Sequence, residues 1–464
     1  MQKLIAKYGL AAHLAILAVA PLFLFPFCAD GSVALVLIWL TLPAALWTVL
    51  EPSMRGGERL HDARRRVAKA IFRDPLFWAS LALVVFTGLR ALNTGIALAY
   101  DAETSAWHVS APPFPIFPGV VGASGDLPFA AALGCTVVLQ GCRHSLGRSA
   151  RMAFFLLTSF LSGLASLMTL VAVREGVSGA AALLPSAGGL GFSFVGFAFG
   201  LNLIGGLTAL VAIVELRWKM SFLLLFLGIG GNAAGLFAFA PPYVSAALAA
   251  AGLLMLAYVF GFSCRTFPGV DGLRLVVIGG ISLTIGGLLV AMLLPKSVMD
   301  ERVAAFVGLK FFPERFWEIR GALSAVSFRS WVSHIWIGTG VSSFPLDFRF
   351  AAREADWMLL PRGAPAVANG WWLLLTERGL VGTVFFILPF GFLLVTYVRR
   401  LIGGVRGWTL PHPACLVAPV ALILFVAGGF LGCSSLRAEV LLTMCAFLAV
   451  SAATFQRVRG RNDG

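Results

Sequence analysis

Charge is scarce in this chain. Of its 464 residues only 12% are Asp, Glu, Lys or Arg, whereas 59% are hydrophobic and the mean hydropathy is +0.91. A soluble globular chain carries about a quarter charged residues. The shortage excludes a soluble enzyme and a disordered chain, and implies a protein whose solvent is mostly lipid. Acids are scarcer than bases, 21 against 35, for a net charge of +14. On a soluble protein such an excess would point to nucleic acid. Here the basic residues are divided among loops, so they speak for topology and no nucleic-acid partner is implied. Cysteine number is also low, seven, mostly inside apolar runs and without a CxxC pair. That excludes a disulfide scaffold and offers neither a zinc site nor a redox motif. Cys28 and Cys433 fall near membrane edges and could pair, although free buried thiols are favoured. No long-period repeat and no paired halves are visible, which speaks against a transporter built from repeats.

What the chain has is apolar runs. A helix needs about 20 apolar residues to cross a bilayer. Twelve runs qualify: 9–28, 32–50, 75–93, 128–142, 153–173, 198–216, 220–240, 243–263, 275–294, 371–398, 413–431 and 439–455. Span 128–142 is the shortest. The first run is longer than a signal-peptide core and a second follows closely, so it reads as a retained span. The fold class expected is an all-α polytopic membrane protein with one large folded loop. Residues 1–294 form a bundle of about nine helices, 295–370 the loop, and 371–464 about three more helices.

With the N-terminus in the cytoplasm, the cytoplasmic segments hold 22 of the 35 Lys and Arg. The segment 51–74 holds seven of them, including Arg64, Arg65 and Arg66. The reverse orientation would invert this bias, so both termini are expected in the cytoplasm. In a bacterium this is the inner membrane, with the large loop in the periplasm. Segment 295–370 carries nine basic residues, from Lys296 to Arg362, and seven acidic ones. Long loops escape the orientation rule. A loop this long is usually functional or disordered, and Trp317, Trp331, Trp336 and Trp357 with many Phe and Leu favour a folded one. Glu314 to about Ile335 reads as a helix on or near the membrane. Pro313 stands at its start, and Phe316, Ile319, Leu323 and Val326 recur at helical spacing. A second helix is expected to begin near Asn369 and run straight into span 371–398. Gly196–Gly200 and Gly231–Gly235 have the small-xxx-small spacing of close helix contacts.

Charges near a membrane face are costly unless paired or wetted, and so are functional candidates. Arg90 ends the third span, Arg174 and Glu175 the fifth. Arg320 and Arg362 lie in the large loop. Glu377 and Arg378 sit one to two turns into the tenth span. Each alone could be an interfacial side chain that reaches for water. Together they suggest a basic, partly desolvated cavity, and arginine's planar fork suits diphosphate oxygens. A diphosphate substrate embedded in a membrane would be a lipid-linked sugar. Asp101 and Glu103 form an acidic pair of the kind that holds a divalent metal in some lipid-dependent glycosyltransferases, although a solvated loop start is the commoner role. His108 and His334 are the histidines outside; either could be a general base, and His334 could instead cap a helix end.

Two stretches carry a resemblance. Residues 320–340 read RGALSAVSFRSWVSHIWIGTG and residues 368–382 read ANGWWLLLTERGLVG. Together they resemble the signature of the O-antigen ligase and polymerase family. That family places an arginine before a His-Pro turn and a Gly-x-Gly. A long loop follows, then His-Asn, an aromatic, a leucine run, a Glu and a Gly-Leu-x-Gly. Arg320, His334, Gly338, Gly340, Asn369, Glu377, Gly379, Leu380 and Gly382 fall at matching places. Residues 191–207, with Gly196, Gly200 and Asn202, resemble a weaker feature of the family. The likeness covers 191–398 in outline and 320–382 with specificity. Ile335 stands where the turn's proline is common. Ala368 stands where the family has the histidine thought to activate the acceptor; Glu377, Glu354, Asp356 and His334 are possible substitutes.

The resemblance implies a glycosyltransferase that uses no metal or other cofactor. Its donor would be a glycan on undecaprenyl diphosphate, in surface polysaccharide assembly such as that of lipopolysaccharide. The acceptor would be a hydroxyl on a glycan, lipid or protein. The polymerase is the runner-up within the family. A non-catalytic partner or a transporter of lipid-linked glycan is the rival class. Arg320 is the expected diphosphate contact, with Arg174, Arg90 and Arg362 in support. Asn369 and Glu377 would orient the loop against the tenth span. Gly338 and Gly340 would let backbone approach the substrate, or simply make a turn.

Overall fold

The computed structural model describes residues 2–28, 30–56, 60–91, 98–101, 106–109, 127–181, 183–184, 194–216, 221–266, 271–308, 312, 315–339, 344, 348, 351–354, 356, 370–406, 412–430 and 438–456. Among them the chain is almost entirely helical. The helices are α1 (Gln2–Leu24), α2 (Asp30–Gly56), α3 (Leu60–Phe72), α4 (Pro75–Ala91), α5 (Leu127–Cys142), α6 (Arg148–Arg174), α7 (Ser178–Ala181) and α8 (Phe194–Leu216). They continue as α9 (Ser221–Phe239), α10 (Pro242–Thr266), α11 (Asp271–Leu293), α12 (Lys296–Val307), α13 (Phe316–Ser333), α14 (Gly370–Arg406), α15 (Pro413–Phe430) and α16 (Ala438–Gln456). A short antiparallel pair, β1 (Leu98–Asp101) and β2 (Ala106–Val109), pairs Leu98 with Val109 and Asp101 with Ala106.

All twelve apolar runs coincide with helices. Among the described residues nine of these are long and apolar enough to cross a membrane. The run at 75–93 belongs to a bent pair, Arg65–Phe72 with Pro75–Thr87, broken by 72°. The runs at 128–142 and 439–455 are shorter apolar helices, Ala130–Cys142 and Val440–Ser451. The protein is thus a multi-pass helical protein with nine candidate spans, or ten counting the bent pair. Helices α3, α7 and α12 and the β pair are additions that apolar periodicity did not suggest.

Small residues set the spacing at the centre. Gly163 of α6 lies against the backbone of Leu227 and Gly228 of α9, and Gly231 lies against Gly163 in return. Gly196 of α8 abuts the backbone at Phe239 and Ala240, and Gly200 abuts Leu236 and Leu248. A methyl at these contacts would meet neighbouring backbone or packed side chains. The two small-xxx-small pairs are therefore helix contacts, as their spacing suggests. Asn232 of α9 donates to the Ser159 carbonyl at 2.9 Å and to that of Gly228 at 2.8 Å, tying α9 to α6.

Contacts at the helix ends define two ends of the bundle. At one, here called the loop end, Arg302 of α12 donates to the carbonyls of Ala238 and Ala240, in and just beyond the last turn of α9. Trp371, at the head of α14, donates to Val426 near the end of α15 at 3.2 Å. Arg174, at the end of α6, reaches the Met292 carbonyl at the end of α11. At the opposite end Thr48 of α2 meets Cys142 of α5 at 2.8 Å, and Ser145 donates to the Thr48 carbonyl at 2.6 Å. Of the cysteines described, Cys28 and Cys264 are exposed and Cys135, Cys142, Cys415 and Cys445 buried, all as free thiols. Cys433 lies outside the described residues.

Candidate functional site

Helix α14 does not run straight. Gly379 has φ 65° and ψ −172°, which breaks the helix ten residues in. A non-glycine residue essentially never adopts that conformation. The break is filled by the turn that follows α13. The Leu380 amide donates to the Ile335 carbonyl at 2.8 Å, and the Val381 amide to that of Trp336 at 3.0 Å. The Thr376 carbonyl, the partner Leu380 would have in an unbroken helix, accepts from the Thr339 amide at 2.8 Å and from its hydroxyl at 3.1 Å. Three backbone bonds from the turn thus stand in for the two that continuity would supply at these amides. Gly338, with φ 74°, closes the turn through a bond from its amide to the His334 carbonyl at 2.9 Å. A Cβ on Gly338 would collide with the backbone of Glu377–Gly379, and one on Gly379 with that of Trp336.

The two motif stretches, far apart in the chain, therefore form one structural unit. Gly338 acts as turn and contact. Gly340 lies outside the described residues. Glu377 and Arg378 immediately precede the break and are both buried. Gly382, one turn on, lies against Arg378 and against Phe86 of α4.

Arg320 is buried in the second turn of α13. Its guanidinium donates to the Phe430 carbonyl at the end of α15 and lies 5.1 Å from the Phe316 ring centroid. Phe430 packs on Trp371 with ring centroids 5.9 Å apart, so Arg320 stands beside the head of α14. Helix α13 itself spans Phe316–Ser333; Pro313 and Glu314 are outside the described residues. Its inward face is the expected one. Leu323 and Val326 pack with Phe344 and Phe348, flanked by Ile319, Ala351, Ala352, Trp372 and Leu373. This small core shows that the described part of the loop is folded.

Asp356 is committed to structure. Arg329 pairs with its carboxylate and donates to the Ala351 carbonyl, and the Arg353 amide donates to Asp356 at 2.8 Å. A carboxylate so engaged is a poor general base, which leaves Glu377, Glu354 and His334 of the four substitutes. Glu354 is exposed. His334 is exposed and caps α13, its amide donating to the Trp331 carbonyl at 2.9 Å. Arg174 is exposed at another point of the loop end. Arg90 is the penultimate residue of α4, but its side chain is outside the described part, as are Arg362, Ala368, Asn369 and Glu103. Asp101 and His108 lie on β1 and β2. Among the described residues no group of three or more His, Cys, Asp or Glu could hold a metal.

Two buried clusters escaped the sequence reading. Arg302 sits at the α9–α10 corner, where burial pushes its guanidinium down to about 10, opposed by the charge of Glu301. At the opposite end Asp74, between α3 and α4, takes a salt bridge from Arg143 and lies 2.9 Å from His144 Nε2. It also accepts from the Leu76 amide at 3.0 Å. Burial alone would raise this carboxyl. The His144 hydrogen bond, the charges of Arg143 and His144 and the Leu76 amide together hold it below the usual carboxylate range. Isolated Asp or Arg letters give no hint of such a pairing, because its partners come from separate helices.

The chain matches no protein-family model, no curated protein and no solved structure.

Proposed function

We propose that this protein is a glycosyltransferase of the bacterial inner membrane, similar to the O-antigen ligases and polymerases. It takes a glycan from undecaprenyl diphosphate at the periplasmic face and passes it to an acceptor hydroxyl. The observation that carries this reading is the union of the two motif stretches. The Gly338 turn is seated in the α14 break beside Glu377, and Arg320 lies buried at the head of the same helix. The excess of Lys and Arg in the other loops supports cytoplasmic termini and a periplasmic loop end.

The chemistry follows from the side chains. As the glycan departs, negative charge grows on the lipid diphosphate. A guanidinium at Arg320, preorganised by Phe430 and Phe316, stabilises that charge. The acceptor hydroxyl needs a base within hydrogen-bond reach. Ala368 cannot take a proton, and Glu377 is the candidate carried by the break. A second reading, a non-catalytic assembly partner, is favoured by Ala368 alone.

The test is glycan transfer in membranes supplied with the lipid-linked donor. Arg320→Ala is expected to abolish transfer while the protein still inserts normally. Unchanged transfer would overturn the arginine's role.

A further inference from the structure

Helix α13 carries no charge on its exposed side between Gly321 and Val332. One side is covered by protein: Phe316, Arg320, Ala322, Leu323, Val326, Ser327 and Ser330 are buried. On the other, the exposed residues from Gly321 to Val332 are Gly321, Ala325, Phe328 and Val332, without a charge. The turn beyond adds Ile335 and Trp336, the latter 66% exposed. The polar end of the stripe is marked by Arg315 and Glu318, exposed and paired with each other at 3.0 Å. A contiguous exposed apolar stripe marks a contact with apolar surroundings, so something apolar covers this second face.

Depth identifies the cover. The apolar run of α14 is Gly370–Phe392, with mean hydropathy 1.6. Near its head, Trp372 packs against Phe328 and Trp331, with ring centroids 6.1 and 6.4 Å away. Lower down, Leu380 and Val381 bond to Ile335 and Trp336. From Trp372 to Leu380 the helix descends about 12 Å at 1.5 Å per residue. The turn after α13 therefore follows α14 down into its apolar run. Irregular backbone at that depth is tolerated when protein satisfies it, and the break in α14 does so. One to two turns beyond Leu380, Val384, Ile387 and Leu388 of α14 are also exposed and apolar.

We infer that the C-terminal half of α13 and the turn after it enter the bilayer at the loop end, with Phe328, Val332, Ile335 and Trp336 against lipid acyl chains. The element is re-entrant: it dips beside α14 and leaves on the same side. Ser333 and His334 are its exposed polar residues; Arg329 in the same stretch is half-buried and paired with Asp356.

The test uses the full-length protein in phosphatidylcholine vesicles. Tryptophan emission of the wild type is compared with that of Trp336→Phe, and the difference isolates Trp336. Val332→Trp supplies a second reporter should Trp336→Phe fail to insert. The expected result is that this signal is quenched by phosphatidylcholine brominated near the top of its acyl chains and not by aqueous iodide. Quenching by iodide would mean water covers the stripe. Quenching by neither would mean a second copy or another segment of the chain covers it. Either result overturns the inference, whether or not the protein transfers glycan.

Discussion

Single residues carry two different burdens here. Arg320 and Arg302 are both buried and both reach carbonyls at helix ends, but only Arg320 lies in the stretch with a family resemblance. Asp74 is the opposite case, a buried carboxylate in no motif whose neighbours hold it ionised. Its folded value is depressed, so its contribution to stability is complete above the unfolded value of about 3.9. That contribution shrinks as pH falls toward the folded value and is lost below it. Asp74→Asn is therefore expected to flatten the acid limb of a stability–pH profile measured in detergent. It also takes a charged partner from buried Arg143, a loss of roughly 3–5 kcal/mol near neutral pH. An unchanged acid limb would show that the cluster does not link pH to stability.

At the scale of elements, apolar periodicity located all twelve runs and the helix at 316–333, because burial in lipid or protein writes itself into hydrophobic spacing. It did not locate the break in α14. Gly379-Leu380-Val381-Gly382 reads as the smooth start of a span. What breaks the helix there is a set of backbone bonds from residues 335–339, and backbone bonds leave little mark on side-chain identity. Gly338 was legible as a turn, its partner across the break was not. The periodicity of Phe316, Ile319, Leu323 and Val326 picked out the face of α13 that packs on protein; the stripe left exposed lies opposite. Likewise Asp356 read as a possible base until Arg329 was seen to hold it.

The splice makes a sharp prediction at this scale. Gly338→Ala and Gly379→Ala place a side chain in a left-handed backbone and against a partner's backbone. The conformational cost alone is roughly 1–3 kcal/mol at each. Gly321, in mid-α13, faces open space. Gly321→Ala should be neutral or stabilise by up to about 1 kcal/mol. Thermal unfolding in detergent checks this: the first two variants should melt lower than wild type and the third should not. Equal melting of all three would mean the turn is not seated in the break.

For the whole molecule, the contacts at the helix ends fit an up-and-down bundle. The ends of α6, α9, α11 and α15 and the starts of α10 and α14 gather at the loop end. Asp74, Arg143 and the ends of α2 and α5 gather at the other. That alternation puts the Lys- and Arg-rich segment 51–74 and the described part of the 295–370 loop at opposite ends of the bundle. The basic segment 51–74 leads to the Asp74 end, and the folded loop with its buried arginines closes the opposite one. Under the proposed function, a polyanionic lipid headgroup meets the protein at that loop end.

The most direct measurement is the binding of undecaprenyl diphosphate to the purified protein, read as a ligand-dependent rise in melting temperature. A ligand at 100 times its Kd stabilises by about 2.7 kcal/mol. The account predicts a clear rise for the wild type, a smaller one for Arg320→Lys, which keeps charge without the planar fork, and none for Arg320→Ala. An equal rise in all three would contradict it.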